Sequence, residues 1–328
     1  MSENILTVKD LKTYFYTASG IAKAVDGVSF NIAKGETMGI VGESGSGKSV
    51  TSSSIIRLLP PRTGKIVGGS IEFEGKDVLA LSKKELNDFR GKDIAVIFQD
   101  PMTSLDPVFK IGKQMTEMIM AHQNVTKDEA WKMAVEALSK VGIPEPEKRM
   151  NSYPYELSGG MCQRVIIAMA VCCKPKLIIA DEPTTALDVT IQAGIIELMN
   201  ELRRKYDSSI LIITHDFGIV ADIADRVGVM YAGNLIEVGE VFEIFDHPTH
   251  PYTRLLMKAL PTITKAEGRL ETIRGNVPNL AEEKPGCNFA ERCPYAKKIC
   301  YQQKPQLKEI SGGHLCACLL MDGGLEDE

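Results

Sequence analysis

The amino-acid sequence predicts an α/β protein with a mainly parallel sheet covered by helices on both faces. Short apolar runs typical of buried strands alternate with longer segments whose apolar residues recur at helical spacing, and this alternation predicts that architecture. The chain has 328 residues, 44% of them apolar and 25% charged. That composition is typical of a globular protein long enough for about two domains. In such a sheet, ligands bind at the carboxyl ends of the strands.

The first half of the chain carries strand signals over residues 28–98 and helix signals over residues 111–141. β-rich runs with turn signals between them predict strands at residues 28–32, 38–41, 70–73 and 94–98. Residues 111–141 carry apolar positions at helical spacing, and that pattern ends at Gly142 and Pro144. We therefore expect a helical subdomain inserted at about residues 101–160.

The second half of the chain continues the alternation and then loses it. Strands are predicted at residues 177–180, 210–214 and 227–231, with helices at residues 166–173 and 191–202. After about Gly239 the sequence is punctuated by Pro and Cys and has little periodicity. We therefore expect one domain over residues 1–240 and a small extension over residues 241–328. The extension is too short for a large core and needs a staple.

Charge and hydropathy exclude several function classes. With 38 basic and 43 acidic residues the net charge is −5, which gives no electrostatic footprint for nucleic acid or an anionic membrane. We therefore expect no nucleic-acid partner. No run reaches the roughly 18 apolar residues of a membrane-spanning helix, and the first residues do not resemble a secretory signal. The sequence predicts a cytosolic location.

A glycine-rich loop, Gly42-Glu-Ser-Gly-Ser-Gly-Lys-Ser49, follows an apolar strand and precedes a helix. This context is typical of a phosphate-binding loop, whose backbone N–H groups surround an anion at a helix N-terminus. Lys48 would reach the β- and γ-phosphates of a nucleotide, and Ser49 would ligate Mg²⁺. A flexible Gly/Ser linker is the plain alternative, but it needs no strand before it and no Lys-Ser at its end.

Two carboxylates follow the buried run Leu177-Ile-Ile-Ala180. Asp181 would hold the Mg²⁺ shell, and Glu182 would act as the base for water that attacks the γ-phosphate. Alone, an Asp-Glu pair before Pro183 is more typical of a turn or helix cap. The strand before it and the phosphate loop elsewhere in the chain favour the catalytic interpretation.

The segment Leu157-Ser-Gly-Gly-Met-Cys-Gln-Arg164 resembles the signature motif of ABC-type ATPases. Gln99 stands at the place of the Q-loop, Ala186-Leu-Asp188 at that of the D-loop and His215 at that of the H-loop. The resemblance covers about residues 5–240. It implies a P-loop NTPase (RecA-like) core with an antiparallel β subdomain, an inserted helical subdomain and a small cysteine-rich C-terminal extension.

The resemblance also implies roles for residues of the site. Glu182, His215, Lys48 and Gln99 would act in hydrolysis, and Ser49, Gln99 and Asp181 would hold Mg²⁺. Phe15 would stack on adenine. The remaining contacts to ATP would come from Gly42, Ser44, Gly45, Ser46, Gly47, Lys48, Ser49 and Val50, and contacts to the nucleotide of a partner subunit from Ser158, Gly159, Gly160 and Asp188.

The physical basis of the signature is a capped helix start. Ser158 would cap the helix, and the glycines after it would leave N–H groups facing an anion. One set of motifs in one chain implies a dimer with two composite sites. Cys162 stands where arginine is common in the family, which puts the contacts of this segment with a partner in question.

Three further segments resemble the ATPase subunits of bacterial oligopeptide/dipeptide or nickel importers: residues 98–107, 181–192 and 250–254. This resemblance implies a peripheral ATPase on the cytoplasmic face of the membrane. Its partners would be a second, similar ATPase chain in a heterodimer, two membrane-spanning permease subunits and, indirectly, an extracellular solute-binding protein. A nickel importer remains an alternative, as does a soluble ABC ATPase with a redox- or iron-sensing tail.

The part of the extension after residue 259, here called the tail, carries Cys287, Cys293, Cys300, Cys316 and Cys318. Four thiolates suit a [4Fe–4S] cluster and equally a structural Zn²⁺. Successive spacings of five, six and seventeen residues among Cys287, Cys293, Cys300 and Cys318 lack the CxxC pairs of zinc ribbons and favour iron. The family resemblance selects Cys318 over Cys316. Zinc and free buried thiols remain alternatives, and disulfides are disfavoured in the cytosol.

Overall fold

The computed structural model describes residues 3–18, 20–185, 187–259, 273–282 and 284–321. The predictions made for Ala186 and for residues 260–272 and 322–328 lie outside these ranges. The strands are β1 (Asn4–Thr17), β2 (Gly20–Ala33), β3 (Thr37–Val41), β4 (Gly64–Phe73), β5 (Lys76–Asp77), β6 (Ile94–Ile97), β7 (Leu177–Asp181), β8 (Ser209–Thr214), β9 (Arg226–Tyr231), β10 (Asn234–Glu240), β11 (Lys308–Ser311) and β12 (His314–Cys316).

Eleven α-helices lie within the described ranges. They are α1 (Lys48–Ile55), α2 (Lys83–Asp88), α3 (Pro101–Ser104), α4 (Ile111–His122), α5 (Lys127–Lys140), α6 (Pro146–Arg149), α7 (Gly159–Cys172), α8 (Val189–Tyr206), α9 (Phe217–Ile223), α10 (Val241–Asp246) and α11 (Pro251–Lys258). Short 3₁₀ turns at Pro154–Glu156 and Lys298–Tyr301 add to these.

The chain divides into two units. The first unit contains residues 1–5, 32–37 and 74–213, and the second contains residues 6–31, 38–73 and 214–328. In the first unit β7 lies between β6 and β8 and pairs with both in parallel. Every residue of β7 and β8 is buried, which explains their continuous apolar sequences. Helix α5 packs against α4 and α7.

The second unit contains both parallel and antiparallel pairs. β3 and β9 pair in parallel, β10 returns antiparallel beside β9, and β12 pairs with β10 and β11. β1 pairs antiparallel with β4. The prediction of a mainly parallel arrangement is therefore right for β3 and β6 to β9, but it missed the antiparallel strands β10, β11 and β12. Turn residues Ala232 and Gly233 allow the β9–β10 hairpin, and both have positive φ.

Tail residues take part in the core of the second unit. The ring centroids of Tyr231 and Tyr252 are 4.7 Å apart, and Phe289 lies 5.2 Å and 5.3 Å from them. Phe289 is only 1% exposed and belongs to the same apolar cluster as β9 and α11. The tail is therefore joined to the core by an aromatic side chain and by the β10–β12 pair.

One prediction about the helical region was too coarse. The apolar periodicity over residues 111–141 is divided between α4 and α5, with a break after His122. Thr126 and Glu129 form a capping box at the start of α5. This motif can be recognised from the residue types and their spacing alone. None of the helices in the described ranges is long and apolar enough to cross a membrane.

Candidate active site

The phosphate loop lies in the second unit, between buried strand β3 and helix α1. Gly42 has φ 153°, and a Cβ there would be 2.1 Å from the carbonyl oxygen of Met230. Gly47, the N-cap of α1, has φ 105°, and a Cβ there would be 2.3 Å from the carbonyl oxygen of Ala24. Only glycine fits such close backbone approaches and positive φ angles.

Lys48 folds back over this loop. Its side chain is buried, and Nζ donates to the carbonyl oxygens of Gly42 at 2.8 Å and Glu43 at 3.0 Å. Within the described ranges, the buried hydroxyl of Ser46 has no hydrogen-bond partner. A buried hydroxyl without a partner is costly, so the loop fits an anion that accepts from it. Ser44, Gly45 and Ser49 are exposed and Val50 is half-buried.

Glu43 is a residue of the phosphate loop with no predicted contact to ATP. Its carboxylate accepts two hydrogen bonds from Arg292, at 2.7 Å and 3.0 Å. Its backbone N–H donates to the hydroxyl of Tyr252 at 3.0 Å. The hydrogen bond to Glu43 raises the pKa of Arg292 further above its ordinary value. Nothing in the local sequence signals these contacts.

The predicted acidic residues Asp181 and Glu182 lie in the first unit. Asp181 is buried at the end of β7, and Glu182 follows it. The Glu182 carboxylate accepts from Nε2 of Gln99 at 2.7 Å and from the hydroxyl of Thr185 at 2.9 Å. Gln99 follows β6, the parallel neighbour of β7. The structure thus brings together Gln99 and Glu182, two residues with predicted roles in hydrolysis.

The backbone at Glu182 is left-handed. Its φ is 48°, a conformation that costs free energy for a residue other than glycine. Its N–H nevertheless donates to the carbonyl of Ile213, the last β8 residue in the first unit, at 2.7 Å. This bond to the neighbouring strand holds the turn, and the carboxylate is thereby directed towards Gln99.

The signature segment begins helix α7. Ser158 is the N-cap, and its hydroxyl accepts from the N–H of Met161 at 3.3 Å. Gly159 is exposed, and among the described residues a Cβ there would meet only Leu187, at 3.9 Å. Gly160 packs closely, because a Cβ there would lie 3.0 Å from Ile191. The exposed cap and the glycine after it leave the start of α7 open to an anion.

Cys162 stands where arginine is common in the family, and its position in the structure shows whether it can affect contacts with a partner. The side chain is fully buried, with Sγ 3.4 Å from the carbonyl oxygen of Pro154. Burial raises the pKa of its thiol. The side chain therefore packs inside the first unit and takes no part in the exposed surface at the start of α7.

Two other predicted residues lie at the starts of helices. Asp188 is exposed at the N-cap of α8. His215 follows β8 and is exposed, and its neighbour Asp216 caps α9 by accepting from the N–H of Gly218 at 2.8 Å. His215 is therefore accessible from solvent. Its role in hydrolysis stays a prediction.

Phe15 is half-buried in β1 of the second unit. It lies opposite Gly64 of β4, where a Cβ would be 3.1 Å from the Phe15 ring. Its neighbours face other partners: the Tyr14 hydroxyl donates to Asp26 at 2.7 Å, and Lys65 lies 5.3 Å from the Tyr16 ring centroid. Stacking of adenine on Phe15 stays a prediction.

Three tail cysteines share a small cluster. The N–H of Cys287 donates to the carbonyl of Cys300 at 2.7 Å. Cys287 and Cys318 pack against the apolar cluster that contains buried Cys300. Cys293 packs beside Cys287 against the core of the second unit. Cys316 lies instead in β12, opposite Glu237 of β10.

Burial governs the chemistry of these thiols. It raises the pKa of Cys287 and of Cys293 to about 11. Among the described residues, no group of three or more His, Cys, Asp or Glu side chains is arranged to hold a metal ion. The donor types suit a metal centre, but the structure does not support the predicted [4Fe–4S] cluster or the zinc alternative.

Comparison with known proteins identifies matches at both ends of the chain. Residues 25–185 match the family described as "ABC transporter". Residues 236–300 match the family described as "Oligopeptide/dipeptide transporter, C-terminal region". The first range contains the phosphate loop, Gln99, Glu182 and the signature segment. The second contains most of β10, from residue 236 onwards, and three of the tail cysteines.

Individual relatives extend these matches. The chain is 54% identical over 311 residues to "Oligopeptide transport ATP-binding protein OppD" of Bacillus subtilis (strain 168), covering 94% of this chain and 87% of that one. It is 49% identical over 320 residues to "Dipeptide transport ATP-binding protein DppD" of the same organism, covering 98% and 96%. The fold resembles a dimeric post-hydrolysis state of the ATP-binding cassette MJ0796 bound to ADP and Pi, with a TM-score of 0.64, 27% identity and coverage of 72% and 98%. This chain therefore belongs to the ATP-binding subunits of the oligopeptide/dipeptide ABC transporter family.

Proposed function

We propose that this chain hydrolyses ATP to power the import of oligopeptides or dipeptides through a membrane permease. ATP hydrolysis coupled to transport follows from membership of the ABC family. The observation that carries the peptide assignment is the likeness of nearly the whole chain, tail included, to oligopeptide and dipeptide transport ATP-binding proteins.

The phosphate loop supports the binding half of this function. The backbone N–H groups of the loop, the Ser46 hydroxyl and the Lys48 amine bind the β- and γ-phosphates. Lys48 now donates to the Gly42 and Glu43 carbonyls, and it exchanges these acceptors for phosphate oxygens. Gly42, Ser44, Gly45, Gly47 and Val50 complete the loop's contacts, and Phe15 stacks on adenine.

The residues around β7 support the hydrolytic half. Glu182 accepts a proton from the attacking water, and the 2.7 Å hydrogen bond from Gln99 orients its carboxylate. His215 contacts the γ-phosphate. Ser49, Gln99 and Asp181 have oxygen donors suited to Mg²⁺, which neutralises charge on the phosphates when bound.

The open start of α7 supports a dimer. Ser158, Gly159, Gly160 and Asp188 contact nucleotide held by the phosphate loop of a partner ATPase subunit, and the related MJ0796 cassette is dimeric. In this transporter the partner is a second, similar chain, which makes a heterodimer. Two permease subunits anchor the pair at the cytoplasmic face of the membrane, and an extracellular solute-binding protein delivers the peptide. Residues 1–240 form the ATPase domain and residues 241–328 the extension.

Peptide uptake tests the function directly. In cells from which the gene for this chain has been deleted, we expect uptake of a labelled dipeptide or tetrapeptide to be lost and to return with the wild-type chain. Glu182→Gln should fail to restore uptake, whereas Glu201→Gln, a change on the exposed side of α8, should restore it. Uptake that survives deletion, or loss of nickel uptake in place of peptide uptake, would contradict the peptide assignment.

The predicted [4Fe–4S] cluster is tested separately, with Cys287, Cys293, Cys300 and Cys318 as ligands. The residue types alone carry this proposal, because four cysteine thiolates are the ligand set of such a cluster. Protein purified without oxygen should absorb at about 400 nm and contain roughly four irons per chain. Cys300→Ser should abolish both signals, and Cys172→Ser in helix α7 should not. Colourless anaerobic protein, with or without zinc, would exclude the cluster.

A further inference from the structure

An ion pair joins the tail to the phosphate loop. Arg292 and Glu43 are 249 positions apart, and Nη1 of Arg292 donates to Oε2 of Glu43 at 2.7 Å while Nη2 donates to Oε1 at 3.0 Å. The Arg292 side chain is 6% exposed and that of Glu43 is 28% exposed. A bidentate pair with one buried partner is stronger and better ordered than a pair of exposed, flexible side chains.

Arg292 is held by contacts of its own. Its Nε donates to the carbonyl of Arg274 at 3.0 Å, and Nη1 also donates to the hydroxyl of Tyr231 at 3.3 Å. The guanidinium carbon lies 5.7 Å from the centroid of the Tyr231 ring, within reach of a cation–π interaction. Its N–H donates to the carbonyl of Phe289 at 3.0 Å. The guanidinium therefore meets the loop in one orientation.

Glu43 connects these contacts with Lys48. Its N–H donates to the hydroxyl of Tyr252 at 3.0 Å, and its carbonyl accepts from the Lys48 amine at 3.0 Å. Tyr252 and Tyr231 both pack on Phe289 of the tail. The side chain of Glu43 is thus held by Arg292 of the tail. Its backbone N–H is held by Tyr252, which packs on Phe289 of the tail.

We propose that Arg292 is a positioning residue for nucleotide binding, which neutralises Glu43 and holds the phosphate loop ready for ATP. The inference rests on the proposed role of residues 42–49 as the phosphate loop. A carboxylate in a loop that binds a triphosphate repels that ligand, and a paired guanidinium cancels the repulsion. The tail is therefore a working part of the nucleotide site.

Calorimetric titration of the full-length chain with ATP and Mg²⁺ tests this. Arg292→Gln and Arg292→Met should each weaken ATP binding roughly tenfold, because Glu43 is left as an uncompensated charge near the phosphates. Adding Glu43→Gln to either variant should return the affinity to within about threefold of the wild type, since the two changes act through one pair. Arg292→Lys should retain most of the affinity, because the charge is kept.

The control lies in the same tail. Glu291→Gln breaks the exposed Lys284–Glu291 pair, 2.6 Å long, and should leave ATP affinity unchanged. Unchanged affinity in the neutral Arg292 variants would overturn the inference. A double variant as weak as the single would also overturn it, because Arg292 would then act only in folding the tail. If the Lys48→Ala variant also binds ATP with wild-type affinity, the assignment of residues 42–49 as the phosphate loop is wrong. If Lys48→Ala alone loses affinity, only this inference has failed.

Discussion

Replacing Glu182 with glutamine is expected to leave ATP bound and to lower its hydrolysis by about 10²- to 10⁴-fold. The side-chain oxygen of glutamine can still accept from Gln99 and Thr185, which bond to Glu182 at 2.7 Å and 2.9 Å. The geometry around the left-handed Glu182 backbone is thus retained. The amide cannot take a proton from water, so the base is lost while the binding groups remain.

Two measurements check this expectation. Phosphate release at saturating MgATP gives the turnover, and calorimetry gives the affinity for ATP. Glu201→Gln is the matched control, because it makes the same change at an exposed position of α8. Turnover of Glu182→Gln within about threefold of the wild type would contradict the role of Glu182, given what a general base contributes.

Lys48→Ala is expected to weaken ATP binding and turnover together. The change removes the charge that faces the β- and γ-phosphates, and hydrogen bonds to charged groups contribute about 1.5–3 kcal/mol. That corresponds to a loss of roughly ten- to a hundredfold in affinity. The buried amine also bonds the Gly42 and Glu43 carbonyls, so its removal loosens the loop before any nucleotide enters.

Lys9→Ala removes an exposed lysine from β1 of the same unit and serves as the control. Lys48→Met, which keeps most of the length of the side chain without its charge, separates the two causes. Similar losses of affinity in Lys48→Met and Lys48→Ala would assign the effect to the charge. Wild-type affinity in both variants by calorimetry would refute the role of Lys48.

The phosphate loop and the carboxylates after β7 could be found from the sequence because their signals are local. A buried strand reads as a short apolar run, and the polar residues that follow it mark its carboxyl end. β3 before Gly42 and β7 before Glu182 both carry that signal, and every residue of both strands is buried. The glycines of the loop are also a local signal, because a single turn requires their positive φ angles and close backbone approaches.

The sequence contains no comparable local signal for the order of the strands or for the packing of the tail. β12 pairs with β10 through only two residue pairs, Glu237 with Cys316 and Val238 with Leu315, which is too short a strand for a clear alternation. The buried pair between Glu237 and His314, 2.9 Å apart, supports this junction. A tail that seemed to require a metal staple by its composition is joined to the core by these contacts and by Phe289.

The sequence by itself therefore determined the nucleotide motifs, their order and the family, because each depends on residues close together in the chain. Only the tertiary structure decided which distant residues support those motifs. Gln99 meets Glu182 across 83 positions, and Arg292 meets Glu43 across 249. No periodicity links such residues, since their contact depends on how strands and tail are packed. In the sequence, Arg292 cannot be distinguished from an ordinary exposed arginine. In the folded chain its guanidinium contacts Glu43 of the phosphate loop.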